Sequence, residues 1–205
     1  MTGFSDKIPL SFFENKDVLG IARSLLGKSL YTFIDGKLTG GIITETEAYA
    51  GVKDKASHAY GGRRTQRTET MYKPGGHSYV YFTYGMHHLF NIVTSVKDDP
   101  QAVLIRGMIP TEGFDIQYER RNKIKNKFLM ANGPAKVCQA LGITLKQNSI
   151  PLSGDVIWLQ NVGERPHKNQ IITCTRVGVD YAGEDALLPY RFILHHPDYK
   201  TAKHP

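Results

Sequence analysis

Cysteine is scarce in this chain, with Cys138 and Cys174 the whole supply among 205 residues. They permit at most one disulfide, which excludes a small secreted scaffold held together by crossbridges. Cys138 falls on a helix-like stretch and Cys174 on a strand-like one, and both are expected to be core thiols. Long apolar runs are missing too: none approaches the roughly 20 residues that a membrane-spanning helix needs. The opening Met1-Thr2-Gly3-Phe4-Ser5-Asp6 lacks the pattern of a signal peptide, so a cytoplasmic protein is expected. Repeats, low-complexity tracts and interdomain linkers are absent. Histidine is plentiful at eight residues, but neither the histidines nor the cysteines fall at compact ligand spacings, and no metal site is expected.

What the chain does have is an excess of cations, with 26 Lys and Arg against 19 Asp and Glu, a formal charge of +7 and a pI near 9.3. That balance favours a polyanionic partner, although charge alone does not name one. Hydrophobic content of 40% and charged content of 22% are ordinary for a globular protein. The length suits one large domain with a substantial core. A single domain over residues 1–205 is expected, ordered from about 10 to 195, with a polar C-terminal tail after Phe192.

Periodicity predicts a first helix over residues 17–26, with Val18, Ile21 and Leu25 on one face and Gly27 as its stop. Strands at 28–34 and 38–48 flank Asp35-Gly36, a hairpin turn. Residues 51–76 are rich in glycine and cations and predict a long loop with short helical turns, a length usually kept for function. A second hairpin, 78–83 and 88–94, surrounds Tyr84-Gly85-Met86, and residues 101–107 predict another strand. Thr111 is placed to cap a helix running towards Arg121, and the basic run from Arg120 to Lys127 reads as a solvated loop. Pro134 opens a helix that Gly142 ends, and strands follow at 155–160 and 171–177. Hairpin links imply antiparallel pairing. The fold class is therefore α+β: a single domain with a curved, mostly antiparallel, open barrel-like sheet flanked by helices.

The chemistry concentrates in Glu45-Thr46-Glu47-Ala48-Tyr49 and the segment that follows it. Period-two alternation puts Ile43, Glu45, Glu47 and Tyr49 on one strand face. After them come His58, the cluster Arg63, Arg64 and Arg67, and the aromatic run Tyr79-Val80-Tyr81-Phe82-Thr83-Tyr84. A carboxylate can activate water, aromatic faces can sandwich a flat ring, and cations can hold a phosphate backbone. Together they point to an enzyme acting on a nucleobase. Tyr81 and Tyr84 differ in strand parity, so one fits a pocket and the other the hairpin tip. Val80 and Phe82 are expected in the sheet core. The arginines fit phosphate contacts better than base readers. Glu45 could share the chemistry with Glu47 or anchor structure by pairing with a cation. Two rivals stand beside this reading: a nucleic-acid binding module without catalysis, and a hydrolase of free nucleosides using the Glu45/Glu47 pair.

Several motifs, in order, resemble the alkyladenine (3-methyladenine) DNA glycosylase family. They are Glu45-Thr46-Glu47-Ala48-Tyr49, Ser57-His58, Gly61-Gly62-Arg63, Tyr79-Val80-Tyr81, Tyr84-Gly85-Met86, Leu104-Ile105-Arg106, Asn132-Gly133-Pro134-Ala135-Lys136 and the segment from Arg176 to Gly183. The resemblance implies hydrolysis of the N-glycosidic bond of alkylated and deaminated purines in duplex DNA by base flipping. The purines implied are the 3-methyladenine, 7-methylguanine, hypoxanthine and ethenoadenine class, and the product is an abasic site. It further implies a monofunctional, monomeric enzyme without cofactor or metal, associated with the nucleoid through DNA. By the same resemblance Glu47 is the general base, and Arg106 with a backbone carbonyl of the 176–183 segment helps hold the water. Tyr49, His58 and Tyr81 wall the base pocket, Asn91 disfavours guanine, and Tyr84 with Met86 fills the gap left by the flipped base. The loops Lys53-Asp54-Lys55 and 123–127 have no counterpart in the motifs, which leaves backbone contacts open.

Overall fold

The computed structural model describes residues 7–161 and 166–195. In chain order its strands are β1 (Ser29–Ile34), β2 (Lys37–Tyr49), β3 (Ser78–Thr83), β4 (His87–Thr94), β5 (Gln101–Glu112), β6 (Ala131–Asn132), β7 (Ile157–Gln160), β8 (Ile171–Cys174) and β9 (Arg191–Leu194). The α-helices are α1 (Val18–Leu25), α2 (Phe114–Arg120), α3 (Lys127–Met130) and α4 (Pro134–Leu141). The β-branched, glycine-bearing run from Lys37 to Tyr49 forms the longest strand, and the sheet is assembled on it. Asp35 and Gly36, both with positive φ, turn β1 directly back onto β2. The main strand order is β3-β4-β5-β2-β1-β7, antiparallel throughout, with β6 added to β5.

Partway along, β2 changes neighbours on one side. Up to Ile42 it pairs with β1, and from Glu45 to Glu47 it pairs with β9, which in turn holds β8. The register against β5 shifts at the same place, between Ile43 and Glu45 and again between Glu45 and Thr46. Such bulges bend and twist strands. The sheet curls into an antiparallel half-barrel, and the bend lies at the carboxylates.

Helices α1 and α4 pack against the sheet. Asp17 caps α1 by accepting the Gly20 N–H at 2.8 Å, and the helix lays Val18, Ile21, Ala22 and Leu25 against the sheet. The Thr46 hydroxyl, on the β2 face opposite Glu45 and Glu47, donates to the Ala22 carbonyl at 2.9 Å. α4, with Pro134 at its first position and Gly142 left-handed at its end, packs Val137, Cys138 and Leu141 over the core. Phe13, Leu25, Leu30, Phe90, Ile92 and Phe192 are fully enclosed there. Truncating Leu25 to Ala would cost about 2–5 kcal/mol.

Several sequence expectations shift. β5 runs on to Glu112, so Thr111 is not a helix cap; it is the extra residue where the register slips between Gly40–Glu112 and Gly41–Pro110. The proline sits at an irregularity, where no ladder donor is lost. α2 starts after Gly113, whose φ of 65° and close approach to Leu38 (2.2 Å from a Cβ built there to the carbonyl oxygen) leave room only for glycine. β8 ends at Cys174, short of Val177. Cys174 is only half-buried and accepts from the Arg191 side chain at 3.2 Å, unlike the enclosed Cys138, and both thiols are free. Phe82 is exposed and rests on His88, with only Val80 in the core. Ile193 and Leu194 are buried in β9, so the residues directly after Phe192 are packed and not loosely held; residues 196–205 lie outside the described residues.

Candidate active site

The double register shift makes the site. Glu45 stands opposite Gly107 and Thr46 opposite Ile105, which leaves Arg106 as the extra residue of the bulge on β5. A bulged residue is re-aimed relative to the pleat, and Arg106 turns to both acids: its Nε donates to Glu45 at 3.0 Å and its NH1 lies 3.4 Å from Glu47. Gly107 permits the approach, since a Cβ there would stand 3.1 Å from the Glu45 Cβ. Glu45 also faces Arg191 at 3.6 Å.

Glu47 is 0% exposed. One carboxylate oxygen accepts the Val177 N–H at 2.8 Å, and the other accepts the Tyr49 hydroxyl at 2.9 Å. Burial raises its pKa above the ordinary carboxylate value; Arg106, the Val177 N–H and the Tyr49 hydroxyl pull it back only in part, while Glu45 pushes it further up. The same burial, with Glu47 alongside, pushes the Tyr49 phenol well above its ordinary range. Tyr49 is therefore a neutral donor to Glu47.

The segment that brings Val177 to Glu47 is anchored one residue earlier. The buried Arg176 guanidinium binds both oxygens of Asp54, at 2.5 and 2.9 Å, and donates to the carbonyls of Ala48 and Asp185. It lies 5.0 Å from the Tyr49 ring and 5.2 Å from the Tyr190 ring. Asp54 also accepts the N–H groups of Ala50 and Ala56, so one carboxylate ties the loop after β2 to the 176–185 segment. A bidentate, fully enclosed pair of this kind holds a loop firmly in one geometry.

In front of these residues lies a cavity of about 360 Å³, in the range that accepts a small organic ligand. Tyr49, His58, Tyr81 and Asn91 line it together with Arg106, Tyr79, Arg67, Val177 and Tyr181. Glu47 sits just behind this wall, in contact with three of its lining residues. His58 packs edge-on against Tyr81, with centroids 4.6 Å apart, and its Nδ1 is 2.8 Å from the Tyr79 hydroxyl. Burial, assisted by Arg67 and Arg63, brings its pKa down to about 4, so the imidazole is neutral at physiological pH. Asn91 is buried and donates to the Tyr79 carbonyl at 3.1 Å. Among the described residues no cluster of three or more His, Cys, Asp or Glu could hold a metal ion, and no helix is long and apolar enough to cross a membrane.

A family model for Methylpurine-DNA glycosylase (MPG) matches residues 11–198. The chain belongs to the methylpurine-DNA glycosylase family. Relatives named "Putative 3-methyladenine DNA glycosylase" support the assignment. One from Chlamydia abortus is 50% identical over 189 residues, covering 92% of this chain and 98% of that protein. One from Chlamydia pneumoniae is 45% identical over 184 residues, covering 89% and 92%. One from Bacillus cereus is 44% identical over 195 residues, covering 90% and 93%.

In this methylpurine-DNA glycosylase family member the hairpin tip reaches the same cavity, with Thr83 and Tyr84 among its lining residues. Tyr84 is 84% exposed and holds a φ of 52°, unusual for a bulky residue, and Met86 beside it is also exposed. The three expected backbone arginines separate. Arg64 is clamped by Glu69 at 2.7 Å and Asp98 at 2.8 Å; Arg63 is exposed; Arg67 reaches the cavity wall over Tyr81. Tyr79, Asp54, Arg176, Val177, Tyr181 and Arg191 belong to the site without a role read from the sequence. Tyr79 shares strand parity with Tyr81, a signal that is present in the sequence. The others depend on contacts made across the fold, and Asp54 binds Arg176 from 122 residues away.

Proposed function

We propose that the protein is a monofunctional DNA glycosylase that flips damaged purines out of duplex DNA into the aromatic cavity and hydrolyses their N-glycosidic bond. The purines are the 3-methyladenine, 7-methylguanine, hypoxanthine and ethenoadenine class, and the product is an abasic site. The observation that carries this reading is Glu47, a buried carboxylate with a raised pKa, oriented by a backbone N–H and a tyrosine hydroxyl and placed behind a purine-sized aromatic cavity.

In this reading Glu47 takes a proton from water as the oxygen attacks the sugar carbon. The bonding electron pair leaves with the base, and the carboxylate offsets the positive charge that builds on the sugar. Arg106 orders Glu47 and the water between them. Tyr49, His58 and Tyr81 stack the base, and Asn91 crowds a 2-amino group. Tyr84 and Met86 enter the stack that the nucleotide leaves, restoring part of the few kcal/mol that flipping costs. Arg63 faces the phosphate backbone, and Arg64 joins it by exchanging a carboxylate for a phosphate, while Arg67, the third arginine of that cluster, turns to the cavity wall. The protein acts as a monomer in the cytoplasm, on nucleoid DNA, without metal or cofactor.

The test is incubation with duplexes that each carry one defined damaged purine, scoring abasic sites. Base release is expected to be unchanged in EDTA, with an intact abasic strand and no borohydride-trapped adduct. Binding without release would favour a recognition module. Release from free nucleosides but not from duplex would favour a nucleoside hydrolase.

A further inference from the structure

The arginines around the site divide by charge balance. Arg64 is held by Glu69 and Asp98, Arg106 by Glu45 and Glu47, Arg176 by Asp54, and Arg191 by Glu45. Arg67 has no carboxylate within ion-pair distance among the described residues, yet it lines the base cavity. Its guanidinium stands 5.2 Å from the Tyr81 ring centroid, beside the Tyr79 wall of the same cavity. A guanidinium only donates. The Tyr79 hydroxyl and Nδ1 of His58 are engaged with each other at 2.8 Å, so the N–H groups of Arg67 are the donors free to meet a base on this side.

This side of the cavity thus offers hydrogen-bond donors and one uncompensated positive charge. Aromatic walls alone would favour a cationic purine, because a cation stacks well on a π face. Arg67 opposes that preference. A neutral purine such as hypoxanthine keeps lone pairs at N7 and O6 to accept from donors. 7-Methylguanine has lost the N7 lone pair and carries a positive charge of its own.

We propose, on the basis of the glycosylase reading above, that Arg67 is a specificity-determining residue of the base cavity. Its unpaired charge and N–H donors favour neutral purines with a free Hoogsteen edge over purines that carry a permanent positive charge. A phosphate contact, the ordinary role of an exposed arginine in a DNA-binding loop, predicts a different result.

The experiment measures single-turnover excision of hypoxanthine and of 7-methylguanine from the same duplex context at saturating enzyme, for the wild type, Arg67→Met and Arg67→Lys. Arg67→Met keeps an apolar stem and removes the charge; it is expected to shift the rate ratio about tenfold towards 7-methylguanine, the scale of one partly screened charge at close range. Arg67→Lys keeps the charge and is expected to shift the ratio less. An unchanged ratio in Arg67→Met, with affinity lowered equally for both duplexes and the salt dependence reduced by about one counterion, would mark a phosphate contact and overturn the proposal. A shift towards hypoxanthine would overturn it as well. A wild-type protein that releases neither base from duplex overturns the glycosylase reading itself, and this inference with it.

Discussion

Glu45 and Glu47 lie on the same face of β2, at 6% and 0% exposure, yet they occupy different environments. Glu45 lies between two arginines, Arg106 and Arg191, beside a glycine that lets the strands close in. Glu47 has one arginine at a longer distance, a backbone N–H and a neutral phenol, and its pKa is raised. A carboxylate clamped by two guanidiniums suits a structural anchor. One held by weaker donors in a desolvated place is poised to accept a proton. The two environments support the proposed division, Glu47 as base and Glu45 as anchor, a pattern familiar from paired acids in glycoside hydrolysis.

The largest effect is expected from Glu47→Gln, which should lower excision by roughly a hundredfold or more while leaving binding to damaged duplex intact. The same change should raise the melting temperature near neutral pH. Because the folded pKa lies above the unfolded one, ionising Glu47 costs folding free energy; the gain on removing it is present above the raised pKa and vanishes as pH falls to the ordinary 4.5. A melting temperature that falls would mean the ionised form is favoured in place. Glu45→Gln should show the opposite balance: a stability loss of about 3 kcal/mol from two arginines left short of a buried partner, with a smaller drop in rate through a displaced Arg106. Denaturant unfolding and single-turnover excision, run on both variants, decide between the two patterns.

Tyr49→Phe removes a donor that holds the Glu47 pKa down. The acid limb of the rate profile should therefore move to higher pH, and the rate at neutral pH should fall several-fold, within the scale of one hydrogen bond to a charged group. A limb that stays in place would show that the hydroxyl does not act on Glu47. The smallest effect is expected from Arg191→Met, whose side chain meets Glu45 and the Cys174 sulfur while its backbone stands opposite Glu47 in the β2–β9 ladder. It should cost about 1 kcal/mol or more of stability and leave the excision rate near wild type. A large loss of rate would merge the two acids into one functional unit.

The Glu47 end was legible in the sequence because its signals are local. Strand alternation aligned Glu45, Glu47 and Tyr49, and motifs in order named the family, whereas strand parity did not separate Tyr81 from Tyr84: Tyr84 lies past the end of β3, and both line the cavity. The hairpins, α1 and α4 followed from Asp35-Gly36, Asp17, Pro134 and Gly142, residues whose backbone preferences are their own. What escaped depended on register and on distant partners. Composition does not reveal that β5 slips by one residue at Arg106, or that Asp54 waits for Arg176. Thr111 looked like a cap because its side chain suits one, but β2 offers β5 a pairing partner up to Glu112, and sheet pairing overrode the local preference.

The division of labour between the two acids is tested most directly by the pH dependence of single-turnover excision of 7-methylguanine, a base already charged and so needing no proton to leave. Wild type, Glu45→Gln and Glu47→Gln would be compared in the same duplex. The rate of the wild type should fall as pH drops through a single pKa above 4.5, the ordinary carboxylate value. Glu45→Gln should keep such a limb at reduced amplitude, and the residual rate of Glu47→Gln should be flat. A Glu47→Gln variant that retains the wild-type limb, with the limb lost in Glu45→Gln, would reverse the assignment of base and anchor.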